Sequence, residues 1–541
     1  MHRLKKLWTS LTNTEHRFVV IALVVFAASS VAWLAINVRE RSVFIPVAGG
    51  SYVEALIGQP IAINPIISSN PADQDISRII YSNLDSLIND SRIESDDRTY
   101  VLKLKEDLFW DDGETLTSDD VIFTIKTIQN PDARSTFSRP WHGVVTERIS
   151  DLQLKLTLPT PYAFFNETIA KLPVIPRHIF GAIPTANLKL STYNLEPVGS
   201  GPYRFKSFSK RKDGFITNYR LVVNERYHGS KPFIKNFVFE FYNTHDEIID
   251  ALRFRRVDGF GSMTPIMSSL KTASYLNLNR LPMPRYYALF LNPLSNSKLK
   301  IKEIRKALTE AIDTKTIASD ALQGEALPIE KKSLYYHEPN NTSNNDSLFN
   351  PSEAKKLIED WKKRNKDTNL ELNLVVPNID FLKQIAERVV SSWRSIGVDQ
   401  AEIRVVDSEH LINDVIKPRG YDALLFGNVL EHPDDLFPFW HSSQRFYPGL
   451  NLSLYQNTEA DKLIESIRQK DGSFDERTND LAKLTSLIRE DYPAVFLFSL
   501  PYFYIHTDRL NGWSSSTKII NPSDRFENVA EWYIEQARTI E

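Results

Sequence analysis

The sequence predicts an α/β protein carried on one N-terminal membrane helix, and three observations lead there. Residues 18–38 form an uncharged apolar run, and residues 370–427 alternate strand-like with helix-like segments. The 541 residues give room for three or four compact units, or two large lobes, at roughly 150 residues per domain. The alternation specifies a parallel sheet with right-handed crossovers, because consecutive parallel strands need a helix that packs back onto the sheet.

In chain order, the run FVVIALVVFAASSVAWLAINV would measure about 31 Å as a helix and match a bilayer core. Arg3, Lys5, Lys6 and Arg17 precede it, while Arg39 and Arg41 beyond it are interrupted by Glu40. The positive-inside bias therefore puts residues 1–17 in the cytoplasm and the bulk of the chain outside, a single-pass arrangement at the cell membrane. Ala27, Ala28 and Ser29 offer the small residues of a cleavage site. The run exceeds the signal-peptide core of about 7–15 residues, however, which favours an uncleaved anchor. Residues 39–51 read as a linker.

Further on, TLTSDDVIFTIKTI at 115–128 places Thr117 and Asp120 at capping-box spacing and Val121, Ile125 and Ile128 on one face, which marks a helix start. Helices are also expected at 301–312, at 350–364 with Asn350 as cap and Pro351 at the first position, and at 458–469 and 476–490. HEPNNTSNNDS at 337–347 reads as a surface loop. From 370 the order is LELNLVVP, then FLKQIAERVVSSWRSIG, AEIRVV, a short helix near 408–416, and YDALLFG. The apolar run AVFLFSLPYFYIH at 494–506 is strand-like and leads to a short tail.

Composition excludes several chemistries. Lys and Arg number 65 against 68 Asp and Glu, for a net charge of -3, so the broad basic field of a nucleic-acid binder is missing. With no cysteine there is no disulfide, thiolate metal site, cysteine nucleophile or lipidated cysteine. No glycine precedes a lysine, which rules out a phosphate loop of the G-x-x-x-x-G-K-[ST] kind. No G-x-S-x-G elbow or H-E-x-x-H occurs, and adjacent carboxylates such as Asp111 and Asp112 point apart on regular backbone, so an enzyme is not expected.

Several segments carry a family resemblance. VEALIGQPIAINPI resembles an opening strand with its N-P turn, and IIYSNLDSL the helix behind it. LKEDLFWDDGETLTSDDVIFTI is the most specific block, with Trp110, Asp112, Gly113, Asp119, Asp120 and Val121 at matching places. EPVGSGPYRF, IRKALTEAID, ALQGEALPI, YDALLFGNVLEHPDD and NLSLYQNTEADKLI follow in order. Over about 52–504 the chain thus resembles the large extracytoplasmic solute-binding proteins of ABC importers, of the peptide, dipeptide and nickel class. The resemblance implies a two-lobed periplasmic-binding-protein-like fold of type II with an extra subdomain. Lobe I would span 52–284 with an insertion at about 66–190, lobe II 285–495, and 496–541 would return to lobe I. Two stretches, near 285–294 and 496–505, would cross between the lobes as a hinge. It also implies a monomer without cofactor that takes a peptide and passes it to an ABC permease driven by its ATPase subunits.

Two departures stand out. The usual stretch before Tyr100 is shortened to INDSRIESDDRT, which leaves the small-lobe edge at 88–99 undefined. Where many peptide binders read G-W-x-x-D, this chain has Gly427, Asn428, Val429, Leu430 and Glu431. The resemblance gives Glu431 the ligand's amino terminus, since a desolvated cation needs a carboxylate beside it. Strand donors for peptide backbone would lie within 426–430, including Gly427 and Asn428, and around Tyr203. Trp440 and Tyr447 are candidate apolar platforms. Asn292 and Asn451 match family asparagines that either touch ligand or cap loops. Rival readings are an oligosaccharide or nickel binder, the latter with His432 and His441 as the nearest histidine pair, and a membrane-tethered sensory or scaffold protein that kept the fold.

Overall fold

The computed structural model describes residues 12–540 except 41, 68–69, 266–272, 323, 330–333, 335–347, 470–473 and 515–518. The expected surface loop at 337–347 lies outside the described residues. Two sheets carry the body. The first runs, in spatial order, Leu276–Leu281, Tyr502–Thr507, Gly259–Ser262, Gly49–Ile57, Ile234–Tyr242, Ile216–Val223 and Tyr203–Lys210. Gly49–Ile57 has parallel partners on both sides, and Tyr52, Glu54, Ala55 and Leu56 are buried on it, as suits a strand covered on both faces.

The second sheet runs Leu327–Pro328, Ala494–Ser499, Arg285–Leu291, Ala423–Val429, Glu371–Pro377 and Gln400–Val406. Glu371–Pro377 is parallel to both of its neighbours, the alternation legible in the sequence. Helix Asp380–Ser395 makes the crossover, burying Leu382, Ile385, Ala386, Val389, Val390 and Trp393 at helical spacing. Gly397 closes it at φ +101°, a conformation that favours glycine.

Local chemistry sets the other boundaries. Asp120 accepts from the Thr117 backbone N–H at 2.9 Å and completes the capping box of helix Ser118–Gln129. The Asn350 side chain accepts from Glu353 N–H at 3.1 Å ahead of helix Pro351–Arg364. A four-stranded antiparallel sheet of Ile88–Ile93, Thr99–Leu104, Gln153–Thr157 and Val145–Ser150 forms the inserted part of the first lobe. The shortened stretch at 88–99 is its edge hairpin. There Glu94 N–H donates to Thr99 C=O at 2.8 Å, and Asp96 accepts from the N–H groups of Arg98 and Thr99.

The chain crosses between the sheets twice, after Leu281 and again at Leu500 and Pro501. Arg285, buried at the first crossing, donates to Leu500 C=O at 2.6 Å, Pro501 C=O at 2.8 Å and Met263 C=O at 2.9 Å. One guanidinium thus ties both crossings together.

Two expected boundaries need correction. The N-terminal helix runs Asn13–Glu40, and Ser42–Val47 is a strand paired antiparallel with Glu535–Ile540. Among the described residues of 39–51, Arg39 and Glu40 end the helix and 42–47 and 49–51 lie in strands, in place of the expected linker. SVFIPV is a β-prone segment whose partner lies at the far end of the chain. Ala494–Ser499 belongs to the second sheet, so the return begins at Leu500 instead of 496. Among the described residues, Asn13–Leu34 is the one helix long and apolar enough to cross a bilayer, and none of it is buried in the protein.

Candidate functional site

The two lobes face each other across a cleft of about 470 Å³, within the range of roughly 300–1,000 Å³ usual for small-ligand sites. Its first-lobe wall is helix Pro71–Ile80. Asn70 caps this helix by accepting from Asp73 N–H at 2.8 Å, and Pro71 suits the first position, where no N–H is needed. The helix presents Gln74, Ser77 and Arg78 to the cleft.

Behind that wall lies a fully buried ionic cluster. Arg525 donates to both oxygens of Asp75 at 2.9 and 2.7 Å and to Glu54 Oε1 at 3.0 Å. Tyr504 and Tyr52 donate to Glu54 Oε2 at 3.2 and 3.3 Å, and Ser523 donates to Asp75 Oδ1 at 2.9 Å. Two carboxylates share one guanidinium. Burial, which outweighs the pull of Arg525, pushes Glu54 up to about 7. Ser523 and its neighbour Asp524 also line the cleft, so the cluster fixes the wall's shape from behind.

The second-lobe wall is the end of strand Ala423–Val429, from which Val429, Glu431 and His432 reach the cleft. Glu431 is exposed, and its carboxylate has no hydrogen bond or ion pair to a described residue; its carbonyl accepts from Lys171 Nζ at 3.3 Å. Beside it the lobes are latched. Tyr162 of the inserted part donates to Asp435 Oδ2 at 2.9 Å, Arg468 lies 3.4 Å from the same oxygen, and Ala163 N–H donates to Arg468 C=O at 2.9 Å. Phe164 stacks on His432 with ring centroids 5.8 Å apart. Burial, together with the charge of Lys171, holds His432 below its ordinary value.

Of the residues expected at the site, Glu431 lies on the cleft and the rest stand apart from it. Gly427 and Asn428 sit in the ladder opposite Tyr287 and Tyr286. A Cβ at Gly427 would come within 2.8 Å of the Tyr287 ring, which explains the glycine, and Asn428 donates to the Tyr286 hydroxyl at 3.0 Å. Trp440 is a correction: it is buried against Phe496 at 5.7 Å and Tyr455 at 6.1 Å in the second-lobe core. Tyr203 is another, since it is buried in the first lobe with its hydroxyl on Ile234 C=O at 2.9 Å. Asn451 and Asn292 organise loops. Asn451 bridges His441 C=O and the N–H and C=O of Tyr455. Asn292 bridges Arg419 C=O and Leu294 N–H. Tyr447 is half exposed beneath Lys417, away from the cleft lining.

His441 is held by Ser443 and Glu465 at 2.8 and 3.2 Å, outside the cleft lining to which His432 belongs. Among the described residues no three His, Asp or Glu side chains stand in a metal-ligating arrangement. A second cavity of about 570 Å³ lies at the edge strand Ile88–Ile93 and is lined by the first lobe alone. Sequence reasoning missed Arg78 and the Glu54, Asp75 and Arg525 cluster. No local spacing connects residues 54, 75 and 525.

The architecture has relatives. The oligopeptide-binding protein AppA of Bacillus subtilis is 25% identical over 526 residues, covering 92% of this chain and 93% of its own. The structure of AppA with a nonapeptide aligns at a TM-score of 0.71 and 23% identity over 91% of this chain and 100% of that one. The ABC transporter substrate-binding protein CtaP of Listeria monocytogenes aligns at 0.77 and 25% identity over 90% and 99%. The profile of bacterial extracellular solute-binding proteins, family 5 (middle region), matches residues 85–447, well over half of the chain. With that match, two lobes on separate sheets and a cleft between them, the chain belongs to the bacterial extracellular solute-binding proteins of family 5.

Proposed function

We propose that this chain is the membrane-anchored, extracytoplasmic binding component of an ABC importer, which captures peptides between its lobes and delivers them to a permease. The observation that carries this reading is the Glu431 carboxylate at the second-lobe lip of the cleft, which has no partner among the described residues. Helix Asn13–Glu40 is the anchor, the body lies outside the membrane as a monomer, and the two sheets define lobes that meet at the crossings after Leu281 and at Leu500. AppA, similar over most of both chains, is named an oligopeptide-binding protein.

Binding works through differential contact. A ligand that touches both walls favours the closed arrangement over the open one, and the permease reads the closed surface. Glu431 offers the ligand ammonium a charge-assisted partner. The test is a titration of peptides with free or acetylated amino termini. Glu431→Gln is expected to weaken free-amine peptides about 10–100-fold, the range of a hydrogen bond to a charged group, and to leave acetylated ones unchanged. Equal effects on both would remove Glu431 from this role.

A further inference from the structure

The first-lobe wall holds two polar groups without partners. Arg78 Nε is buried and meets no acceptor, and Ser77 Oγ, on a residue 3% exposed, meets neither donor nor acceptor among the described residues. Both residues line the cleft from helix Pro71–Ile80. Buried polar groups in folded proteins are nearly always satisfied, so a guanidinium on the cleft lining with no hydrogen bond or ion pair to a described residue marks a place for a ligand acceptor. The lining holds a second cation and a carboxylate that is already committed. Lys171 is on the same lining, and the nearby Asp524 carboxylate is already engaged by the N–H groups of Ile520 and Asn521 at 3.0 and 2.7 Å. The remaining open carboxylate, Glu431, belongs to the opposite lobe.

We infer that Arg78, backed by Ser77 Oγ, is a carboxylate subsite, so that the ligand bridges the closed cleft with its ammonium on Glu431 and its carboxylate on Arg78. The inference rests on the peptide-capture reading above and deepens it. A guanidinium fork suits the planar carboxylate better than an ammonium does, because it donates two parallel N–H bonds. Occupation of both walls by one zwitterion also couples binding to closure, since only one of the two charges can be met while the lobes stand apart. The carboxylate comes from the chain end or from an aspartate or glutamate side chain, and the experiment separates these.

Full-length protein in detergent, stripped of co-purified ligand, is incubated with randomised tripeptides in two forms, free acid and C-terminal amide, and the bound fraction is read by mass spectrometry and calorimetry. Wild type is expected to bind the acid mixture about 10–100-fold more tightly than the amide mixture. Enrichment of Asp and Glu within the bound amide fraction would instead identify the side chain as the carboxylate source. Arg78→Gln should abolish whichever selection wild type shows, and Arg78→Lys should keep part of it; unfolding curves without ligand confirm that both variants fold. Selection unchanged in Arg78→Gln, or binding of both mixtures without any selection, overturns the assignment of Arg78 alone. No binding of either mixture to wild type overturns peptide capture and this assignment with it.

Discussion

On the first-lobe side of the cleft, Arg525 meets Glu54 and Asp75 in complete burial, with two tyrosines and a serine completing their hydrogen bonds. On the second-lobe side Glu431 stands exposed with its carboxylate open. The same kind of group serves two ends. A charge that holds a shape must be buried with its partners, because an isolated buried ion is prohibitively costly. In the proposed reading, a charge that is to meet a ligand must remain uncommitted until the ligand arrives. Arg285 and Arg78 repeat the contrast among the cations: the first donates to three carbonyls at the crossings, and the second has an Nε with no partner among the described residues.

The largest effect should come from breaking the saturated side. Arg525→Met strands two buried carboxylates and is expected to cost about 3–5 kcal/mol of stability, measured by urea unfolding. A loss below about 1 kcal/mol would mean that the cluster does not shape the wall.

The pH response sharpens the contrast. Glu54 lies at about 7 in the fold against an ordinary 4.5, so between those values the folded state holds the extra proton. Its stabilising contribution is full below that window, falls as pH rises through it, and is gone above about 7. The slope is at most about 1.4 kcal/mol per pH unit for one proton. Glu54→Gln lacks this component, so the difference between the stability profiles of wild type and variant should slope over pH 4.5–7. Parallel profiles would show that Glu54 does not titrate there.

The smallest effect concerns the latch between the walls. Tyr162→Phe deletes one hydrogen bond to Asp435 while Arg468 remains. It should cost the closed arrangement about 0.5–1.5 kcal/mol, seen as a larger open fraction by small-angle scattering and a lower affinity for any ligand. An unchanged open fraction would leave closure to other contacts.

Much of the fold was legible because its signals are local. The capping box of Thr117 and Asp120, the Asn350 and Pro351 start, and the crossover helix ending at Gly397 each sit within a few residues of chain. What escaped depends on pairs far apart: Ser42–Val47 on Glu535–Ile540, and Glu54 on Arg525. Neither pattern nor spacing brings such segments together. The site divides the same way. The place of Glu431 on the cleft was legible from a motif at a strand end, whereas Trp440 and Tyr203 looked equally available in sequence and are buried in the core. An aromatic side chain serves packing and ligand equally well, and only burial tells the two uses apart. Arg78 had no motif. It stands out through an unsatisfied buried donor, a property of the folded surroundings alone.

The most direct measurement is native mass spectrometry of the full-length chain purified gently in detergent, followed by denaturation and identification of what is released. A ladder of short peptides is expected, with free amino termini that fit Glu431. Release of a single sugar or metal mass, with no peptide, would keep the fold and contradict peptide capture.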